Sequence, residues 1–462
     1  MTTTDRPVSG GYRGYGVRVR PSLGARTPLS GAVPPVVAEW VAWANQQLQQ
    51  PFVGVTTNGE LIEGLFSLQS TGVSTRPIRE AADELLAVLS EEQRTAACYD
   101  VDAPEWRQWF NPEFNAMRHG ILIETLDASQ REIALGLLRA SLSARGYQSA
   151  RDAMRLNETL REITGDSNGL GEWLYFLSIF GTPSETEPWG WQIDGHHLIV
   201  NCLVLGDQVV MTPTFLGAEP IVAESGIYAG TRMFDLEQEK GLAVMRSLSA
   251  AQQAQATLLP TMLRKDMPPE RSHFADWRTQ IGAFRDNQVI PYEGIRAADL
   301  SVDQRGVLVD LLGLLVGLIR DGHAEAKMEE VLRHLDETYF AWIGTCDDDV
   351  RPFYYKVHSP VIIAEFDQHP GIFLDNDEAE RFHSHLVIRT PNGNDYGKDL
   401  LRQHHARFDH TTGRHVLGDR QLPVAATPPV KPVRRTRRLG GPRTPGSRAR
   451  CVRTPRTSGA TR

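Results

Sequence analysis

The sequence predicts an α+β fold: a single large domain with a mainly antiparallel sheet and several amphipathic helices. Two blocks of strand-like sequence each follow a run of helical sequence, without the regular strand–helix alternation of a parallel sheet. Of the 462 residues, 41% are hydrophobic and 23% are charged, which is ordinary usage for a globular chain. The chain is therefore long enough and apolar enough to bury a substantial core.

Composition divides the chain into three predicted segments. Residues 1–34 are rich in Gly, Pro, Ser and Thr and are expected to form a flexible N-terminal arm, and residues 35–419 form the α+β domain. From Gln421 onwards there are eleven Lys or Arg residues, seven prolines and no acidic residue. Such a segment buries too little apolar surface to offset its chain entropy, so we expect residues 420–462 to be a disordered basic tail.

Charge and cysteine usage limit the partners and the compartment. The net charge is −8, and because the tail carries eleven positive charges, the remaining residues carry −19. An acidic body is not typical of a nucleic-acid-binding domain. No run approaches the roughly 18 apolar residues of a membrane span, and no secretory signal is evident. Four widely separated cysteines without a CxxC pair indicate reduced thiols. We therefore expect a cytoplasmic protein with a small-molecule substrate and no nucleic-acid or membrane partner.

Helix starts are marked four times by the capping-box spacing Ser/Asp-x-x-Gln. In this pattern the first side chain accepts a hydrogen bond from the third backbone N–H of the helix, and the glutamine bonds back to the cap. The four boxes begin at Ser90, Asp127, Ser249 and Ser301. Further helices are predicted over residues 36–48, 149–163, 236–247 and 324–334. The unequal spacing of the boxes argues against a solenoid repeat.

The strand signals fall in two blocks with two predicted hairpins. Residues 52–66 flank an Asn-Gly dipeptide at 58–59, which is typical of a type I′ hairpin turn. Residues 197–212 flank Gly206-Asp207 and form the second predicted hairpin. The second block comprises residues 354–366 and 371–374, and it ends in the strand that starts near His383.

The segment from His383 to Phe408 is the predicted centre of the active site. Its first third alternates as a strand does, so His383, His385 and Arg389 share one face, where two imidazoles can bind a single ion. Its last third has helical spacing and would return His404 to the end of the strand as a catalytic residue. Solvent exposure of the paired histidines is the alternative interpretation.

A second pair, His196 and His197, opens the first strand block. On a strand these side chains would point in opposite directions, with Asp194 beside His196 and Asn201 beside His197. The predicted metal ligands are therefore His196, His197, His383 and His385, and the suspected cofactor is a divalent metal ion such as zinc, iron or manganese. Alternatively, one histidine of the pair packs while the other hydrogen-bonds to Asp194.

Glu365 is the predicted catalytic base or a further ligand. A carboxylate near a histidine cluster can bind the ion, orient a ligand or activate a water molecule. Alternation along the two strands places Glu365 and Asp367 on one face, opposite Lys356 and His358. For Asp367, a solvent-exposed strand end is the preferred interpretation.

The polar turn after the histidine strand is a predicted substrate-binding element. A guanidinium fork suits a carboxylate or a phosphate, so Arg389 would bind a polar or anionic molecule together with Asn392, Asn394 and Asp395. Positive φ is expected at Asn392-Gly393, and Asp395 is expected to cap the following helix.

Five long motifs carry a resemblance to a known family. They are Gly-Thr-Pro-Ser-x-Thr-x-Pro-Trp-Gly-Trp-Gln (181–192), Asp-Gly-His-His (194–197), Thr-Pro-Thr-Phe-Leu-Gly-Ala-Glu-Pro (212–220), His-Leu-Asp-Glu-Thr-Tyr-Phe-Ala-Trp-Ile-Gly (334–344) and Arg-Thr-Pro-Asn-Gly-Asn-Asp-Tyr-Gly-Lys-Asp-Leu-Leu (389–401). From about residue 110 to 407 the chain resembles a bacterial and fungal family known as domain of unknown function number thirty-five hundred. The resemblance implies no activity and no site residue. It implies that the arm and the basic tail lie outside the shared domain.

The residues favour a metal-dependent enzyme, hydrolytic in type, that acts on a small polar or anionic substrate. Hydrolysis requires only an activated water molecule and a base. One alternative is a non-haem metal oxygenase, whose two histidines and one carboxylate would be completed by Glu365 or Asp194. Another is a non-catalytic protein that binds a carbohydrate or aromatic ligand on Trp189 and Trp191, although paired tryptophans are commonly core residues.

Overall fold

The computed structural model describes residues 12, 14–31, 33–273, 276–409 and 416–417, so the predicted tail lies outside the described residues. Ten α-helices occur in the described part of the chain. They are α1 (Pro35–Leu48), α2 (Arg76–Val88), α3 (Glu91–Ala97), α4 (Ala128–Ser141), α5 (Ala144–Thr164), α6 (Asp235–Ser247), α7 (Ala250–Ala256), α8 (Val302–Val316), α9 (His323–Arg333) and α10 (Lys398–Arg407). None of these described helices is both long and apolar enough to cross a membrane.

The strands fall in two blocks of the chain, each preceded by helices. They are β1 (Cys98–Tyr99), β2 (Ile121–Leu122), β3 (Tyr175–Phe180), β4 (Trp189–Gly195), β5 (Leu198–Leu205), β6 (Gln208–Val210), β7 (Thr214–Ala218), β8 (Thr257–Leu259), β9 (Ile295–Arg296), β10 (Tyr339–Gly344), β11 (Phe353–His358), β12 (Ile363–Gln368), β13 (Ser384–Arg389), β14 (Phe408–Asp409) and β15 (Val416–Leu417). Thirteen of them form one sheet in the order β1-β3-β4-β5-β7-β13-β12-β11-β10-β8, with β2, β6 and β9 paired at β3, β5 and β10. Only β1–β3 and β8–β10 are parallel among these pairs, so the predicted α+β fold with a mainly antiparallel sheet is confirmed.

The sheet consists of two units with the same order of elements. Each unit begins with a helix (α2 or α6), a seven-residue helix (α3 or α7) and a short strand parallel to a long one (β1 on β3, or β8 on β10). A second short strand, β2 or β9, pairs antiparallel with the same long strand and precedes the helix α4 or α8. The long strands follow, and β7 of the first unit pairs antiparallel with β13 of the second. The strand order therefore reads the same from either edge, as in a pseudo-twofold arrangement about the β7–β13 pair.

The four predicted capping boxes are all present, two in each unit. In the first unit Gln130 Nε2 donates to Gln93 Oε1 at 3.1 Å. In the second unit Gln252 Nε2 donates to Gln304 Oε1, also at 3.1 Å. Each pair of boxes thus joins two helix starts. The unequal spacing in the sequence concealed this twofold repeat, because the loops between the paired boxes differ in length.

Both faces of the sheet are buried, one by helices and the other mainly by loops. On the helix face, apolar side chains of the long strands pack against α2, α4, α5, α6 and α8. On the opposite face, Ile199, Phe215 and Val387 pack with α1 and with the loops around residues 100–120 and 260–294. We call this second face the loop face. It carries the polar side chains that concern the site.

One predicted hairpin is confirmed and the other is wrong. Strands β5 and β6 pair around the Gly206-Asp207 turn, as expected. Residues 52–66 form no strand; within them, Thr56 makes a single bridge to Val289. Backbone groups of this segment bond to a distant loop instead: Val53 N–H donates to Asn287 Oδ1 at 2.8 Å. These contacts replace the pairing that a hairpin would provide.

The N-terminal segment makes backbone hydrogen bonds to three distant parts of the chain. Arg18 N–H donates to Phe373 O at 2.8 Å, Ala25 N–H to the carbonyl of residue 168 at 3.1 Å, and Leu29 N–H to the carbonyl of residue 115 at 2.8 Å. Residues 18–29 of the predicted N-terminal arm are therefore hydrogen-bonded to the rest of the described chain.

Candidate metal centre

Three histidines from the two units meet on the loop face, at one end of the β7–β13 pair. His385 lies on β13, His383 directly precedes that strand, and His197 belongs to the two-residue turn between β4 and β5. His383 Nε2 lies 3.0 Å from His385 Nε2, which in turn lies 3.1 Å from His197 Nε2. All three side chains are buried. We call them the histidine triad.

The spacing of the triad suits a single transition-metal ion. Zinc binds imidazole nitrogen at about 2.0–2.1 Å, and in a tetrahedral site neighbouring nitrogens are then about 3.3 Å apart. The observed separations of 3.0 and 3.1 Å are a few tenths of an ångström shorter. Each of the three histidines offers one ring nitrogen, and these atoms lie within 4.8 Å of one another.

The protonation state of the triad also suits metal binding. Burial, reinforced by the neighbouring imidazoles, lowers the pKa of His197, His383 and His385 well below the usual value, so the three rings are neutral. Neutral imidazole is the form that binds metal ions. His383 Nδ1 donates to Pro370 O at 2.8 Å. That bond places the proton on Nδ1 and leaves the lone pair of Nε2 directed at the other two histidines.

A buried carboxylate lies near Nδ1 of His383, the ring nitrogen that does not face the other two histidines. Glu219 Oε2 lies 3.5 Å from His383 Nδ1. Its Oε1 accepts the backbone N–H groups of Ile372, Phe373 and Leu374 at 2.9–3.0 Å. Burial raises the pKa of Glu219 to about 7, although these N–H groups act in the opposite direction. A carboxylate beside the second nitrogen of a metal-binding histidine is a common supporting arrangement.

His196 lies next to the triad but outside it. Both His196 and His197 belong to the turn, so the expectation that they face opposite ways on a strand is wrong. His197 has a φ of 64°, and the two rings stack with centroids 3.9 Å apart. His196 Nδ1 donates to Asn157 Oδ1 at 2.8 Å, and Asn157 Nδ2 donates to Gly171 O. His196 therefore supports the ring of His197 from the side of α5.

Gly217 provides the space in which two triad rings meet. It lies opposite His385 in the β7–β13 register. A Cβ atom at this position would stand 2.8 Å from Cδ2 of His197 and 2.8 Å from Cδ2 of His385. Any other residue would therefore separate the two rings.

Asp367 and His369 lie beside the triad. Asp367 is opposite His385 in the β12–β13 register and is fully buried, so the expectation of a solvent-exposed strand end is wrong. Its Oδ2 lies 3.1 Å from His369 Nε2 and accepts the backbone N–H of Arg278 at 3.1 Å. The rings of His369 and His385 have centroids 4.0 Å apart. The sequence analysis did not single out His369. The spacing Asp367-x-His369, which matches His383-x-His385, is the sequence signal that would have indicated it.

Glu365 is buried among other partners. Its Oε1 accepts the hydroxyl of Tyr354 at 2.6 Å, and its Oε2 accepts the N–H groups of Gln280 and Ile281 at 2.7 and 3.1 Å. Lys356 lies directly opposite in the β11–β12 register, so the expectation that these two side chains occupy different faces is wrong. The described contacts occupy both oxygens and favour a structural role over that of a base.

Arg389 is held by four protein acceptors. Its Nε donates to Ile281 O at 2.7 Å and its Nη2 to Gly282 O at 2.8 Å. Its Nη1 donates to Asp286 Oδ1 at 2.8 Å and to Asp395 Oδ2 at 3.1 Å. Every nitrogen of the guanidinium is therefore engaged, which argues against the predicted role in substrate binding.

The polar turn after β13 is a structural element as well. Positive φ is confirmed, with 57° at Asn392 and 87° at Gly393. Asn394 Oδ1 accepts a backbone N–H of α10 at 3.3 Å. Asp395 Oδ1 accepts the N–H of Thr390 at 2.7 Å and closes the turn, so the expectation that Asp395 caps the helix is wrong.

The remaining predicted site residues lie elsewhere. His404 is on α10, and its Nε2 is 3.7 Å from Glu187 Oε2. Trp189 and Trp191 are both 0% exposed, and Trp191 Nε1 donates to Ser141 Oγ on α4 at 3.1 Å. Buried tryptophans offer no open stacking surface.

The fold and the site define a two-unit α+β protein with a buried histidine triad. A family model described as "Protein of unknown function (DUF3500)" matches residues 71–398, which is more than half of the chain. The chain belongs to this family, and the resemblance that the sequence motifs indicated is confirmed. No curated protein and no solved structure matches the chain.

Proposed function

We propose that this protein is a metal-dependent enzyme of the hydrolytic type, with a divalent ion bound by His197, His383 and His385. The observation that carries the proposal is the convergence of three neutral Nε2 atoms, with successive separations of 3.0 and 3.1 Å. The bond from His383 Nδ1 to a backbone carbonyl fixes the orientation that metal binding requires.

The number and type of ligands favour a catalytic over a structural ion. Structural zinc sites are closed by four protein ligands, most of them cysteines. Catalytic sites use three protein ligands and keep a position open for water or substrate, and three histidines form one such set. The triad supplies three ligands. Within the described residues, it is the one cluster of at least three His, Cys, Asp or Glu side chains that could hold a metal ion.

Hydrolysis is favoured over oxygen chemistry because of where the carboxylates lie. An oxygenase centre with two histidines and one carboxylate would draw on Glu365 or Asp194. Glu365 is bound by Tyr354 and by backbone N–H groups, and Asp194 accepts the N–H of Phe110 and lies 3.3 Å from Arg118 Nε. Three neutral imidazoles leave the ion's charge uncompensated, and such an ion lowers the pKa of a bound water molecule towards neutrality.

Residues of this chain would position the reacting groups. Glu219 and Pro370 hold the ring of His383 in place. Asp367 and His369, which lie beside the ring of His385, would be available to hydrogen-bond a reacting water molecule. The buried tryptophans remove the main support for the alternative of a carbohydrate-binding protein.

Elemental analysis of the purified protein tests the proposal. About one transition-metal ion should be bound per wild-type chain. His197→Ala, His383→Ala and His385→Ala should each lower zinc affinity by more than 10–100-fold, which is the typical loss when a residue that hydrogen-bonds to a ligand is changed. Ser384→Ala is the matched control, because Ser384 lies between two ligands and donates to Arg381 O instead. Wild-type protein that stays metal-free after reconstitution with zinc, iron and manganese would overturn the proposal.

We also propose a cytoplasmic location. The cysteines Cys98, Cys202 and Cys346 are free thiols in the described residues. Reduced cysteines are typical of a reducing compartment. Localisation of a fluorescent fusion in the source cells tests this, and an exported fusion would contradict it.

A further inference from the structure

The loop between β12 and β13 holds the groups that lie beside Nδ1 of His383. The carbonyl of Pro370, in this loop, accepts a hydrogen bond from that nitrogen at 2.8 Å. Residues 372–374 donate three backbone N–H groups to Glu219, whose Oε2 lies 3.5 Å from the same nitrogen. The orientation of His383 therefore depends on the conformation of this loop, because both neighbours of Nδ1 belong to the loop or bond to it.

The loop is bonded in turn to residues 15–20, which we call the N-terminal strap. The backbone N–H of Arg18 donates to Phe373 O at 2.8 Å. The side chain of Arg18 donates from Nε to Leu374 O at 2.8 Å and from Nη2 to Asn376 O at 3.0 Å. A single strap residue thus binds three carbonyl groups of the loop.

One peptide group of the loop connects Arg18 to Glu219. The carbonyl of Phe373 and the N–H of Leu374 belong to the same peptide plane. The carbonyl accepts the N–H of Arg18 at 2.8 Å, and the N–H donates to Glu219 Oε1 at 2.9 Å. Hydrogen bonds that are linked in this way polarise and strengthen one another. Loss of the bond to Arg18 would therefore weaken the bond to Glu219.

Arg20 of the strap makes a second connection to the triad. Its guanidinium lies 4.3 Å from the centre of the Phe373 ring, and that ring packs against His196 with centroids 5.6 Å apart. His196 stacks on His197 with centroids 3.9 Å apart. An ion pair with the buried Glu113 fixes Arg20 in place. The strap therefore reaches a second triad histidine through packed side chains.

Another arginine of the N-terminal segment bonds to a different part of the chain. Arg26 donates from Nε and Nη2 to Glu124, and from Nη1 to the carbonyls of residues 167–168. Its side chain is 38% exposed, close to the 34% of Arg18. The two arginines are thus similar in exposure and bonding, and of the two it is Arg18 that binds the loop beside His383.

We infer that the N-terminal strap belongs to the metal centre: Arg18 and Arg20 hold the groups that orient His383 and His197, and the affinity for the metal ion depends on them. The inference rests on the proposed function and names the segment that controls the same site. The family match at residues 71–398 contains all three ligands but not the strap. A chain that lost its first 20 residues would therefore keep the ligands and bind the ion less tightly.

Zinc affinity of full-length variants tests the inference. Arg18→Ala removes the side-chain bonds to the loop, and Arg18→Pro removes the backbone donor as well. Affinity should fall about tenfold in the first variant and further in the second, within the 10–100-fold range for changes to residues that support a ligand. Arg26→Ala is the matched control and should leave zinc affinity unchanged. Unchanged affinity in both Arg18 variants would overturn the inference.

Two further measurements separate positioning from a general loss of stability. The visible spectrum of cobalt-loaded protein reports the geometry of the ligands, and it should shift in Arg18→Ala but not in Arg26→Ala. In a double-mutant cycle, Arg18→Ala combined with Glu219→Gln should lower zinc affinity by less than the product of the two single losses, because both changes act on the position of His383. An unshifted cobalt spectrum, or single losses that multiply, would contradict positioning through the loop.

Hydrogen exchange of the metal-free protein keeps this inference separate from the proposed function. The amides of residues 372–374 should exchange faster in Arg18→Ala than in wild type, and at the wild-type rate in Arg26→Ala. Faster exchange with unchanged zinc affinity overturns the inference and leaves the metal centre intact. If wild type takes up no metal, the proposed function fails, and the exchange rates decide whether Arg18 holds the groups beside His383. If Arg18→Pro does not fold, Arg18→Ala alone decides.

Discussion

The two ends of the central β7–β13 pair carry two buried polar clusters of opposite character. At one end lies the histidine triad, and at the other lie Arg389, Asp286 and Asp395. The three charges of the second cluster are paired and hydrogen-bonded within the protein, and Trp109 covers the guanidinium at 5.3 Å. At the histidine end, three ring nitrogens lie within 4.8 Å of one another instead.

This difference separates a structural polar cluster from a functional one. Both clusters are buried, and both were singled out by the same short segment of sequence, so neither burial nor residue type distinguishes them. The distinguishing property is the kind of partner: at the arginine end every charged group bonds to an opposite charge or to another protein group, whereas the triad nitrogens face one another and Oδ1 of the neighbouring Asp367 has no partner among the described residues. Incomplete satisfaction is costly in a folded protein and is expected where a ligand supplies the missing partner.

The largest expected effect is at the arginine end. Arg389→Ala would leave Asp395 as a buried carboxylate without a cationic partner and Asp286 with Arg107 as its remaining one, which costs about 3–5 kcal/mol in the free energy of unfolding. Urea denaturation measures it. The control is Arg402→Ala, because Arg402 pairs with Asp399 at the surface with 73% of its side chain exposed, and a change below about 1 kcal/mol is expected. Equal effects would show that the arginine end is not a structural cluster.

Removing the metal should have the next largest effect on the free energy of unfolding, and this effect should require an intact histidine triad. At a free zinc concentration of one hundred times Kd, binding stabilises the folded state by about 2.7 kcal/mol. Chelation should remove that amount in wild type and in Ser384→Ala, as measured by urea denaturation with and without zinc. His383→Ala should show no response to zinc. A response of wild-type size in that variant would place the ion elsewhere.

The glycine of the arginine-end turn should affect stability alone. Gly393 has a φ of 87°, so Gly393→Val forces a β-branched residue into a strained conformation and should cost roughly 1–3 kcal/mol. Its zinc affinity should match that of wild type. A neutral result in urea denaturation would show that the turn relaxes without cost, and lost zinc affinity would show that the two ends are coupled.

The glycine of the histidine end should have the converse effect. In Gly217→Ala the new Cβ would stand 2.8 Å from two triad rings, so the rings must separate and zinc affinity should fall at least tenfold, or about 1.4 kcal/mol. Competition with a chromogenic chelator measures the affinity. Gly136→Ala on α4 meets nothing within 4 Å and serves as the control, with zinc affinity unchanged. Unchanged affinity in Gly217→Ala would show that the ion does not require the observed ring spacing.

Local patterns in the sequence were enough to predict the helix starts, the antiparallel sheet and the two histidine pairs. Capping boxes depend on residues three positions apart, and strand alternation on residues two apart, so both are visible without the fold. Convergence of His197 with His383 and His385 was predicted only as a possibility, since it required two strand blocks to be neighbours.

The sequence is least informative about residues whose surroundings come from distant loops. The acceptors that bind Arg389 and the backbone N–H donors that bind Glu365 lie mainly in residues 280–286, about one hundred positions earlier in the chain. No sequence pattern near Trp189 or Trp191 predicts which parts of the chain cover them.

The pseudo-twofold arrangement has a consequence for the origin of the chain. A unit on its own would end in an open β7-type edge, and antiparallel pairing with a second copy closes such an edge and forms a symmetric dimer. The present chain therefore has the architecture that duplication and fusion of such a dimer would produce. The histidine triad spans the boundary between the two units, with His197 from the first unit and His383 and His385 from the second.

A symmetric ancestor would have carried two equivalent clefts. In the second unit the turn equivalent to His196-His197 is Pro360-Val361, closed by a 2.8 Å bond from Ser359 N to Ile362 O. Pro360 O accepts a bond from Asn392 of the arginine end. The two equivalent positions therefore differ: one holds the histidine triad, and the other holds a turn that is bonded to the arginine end.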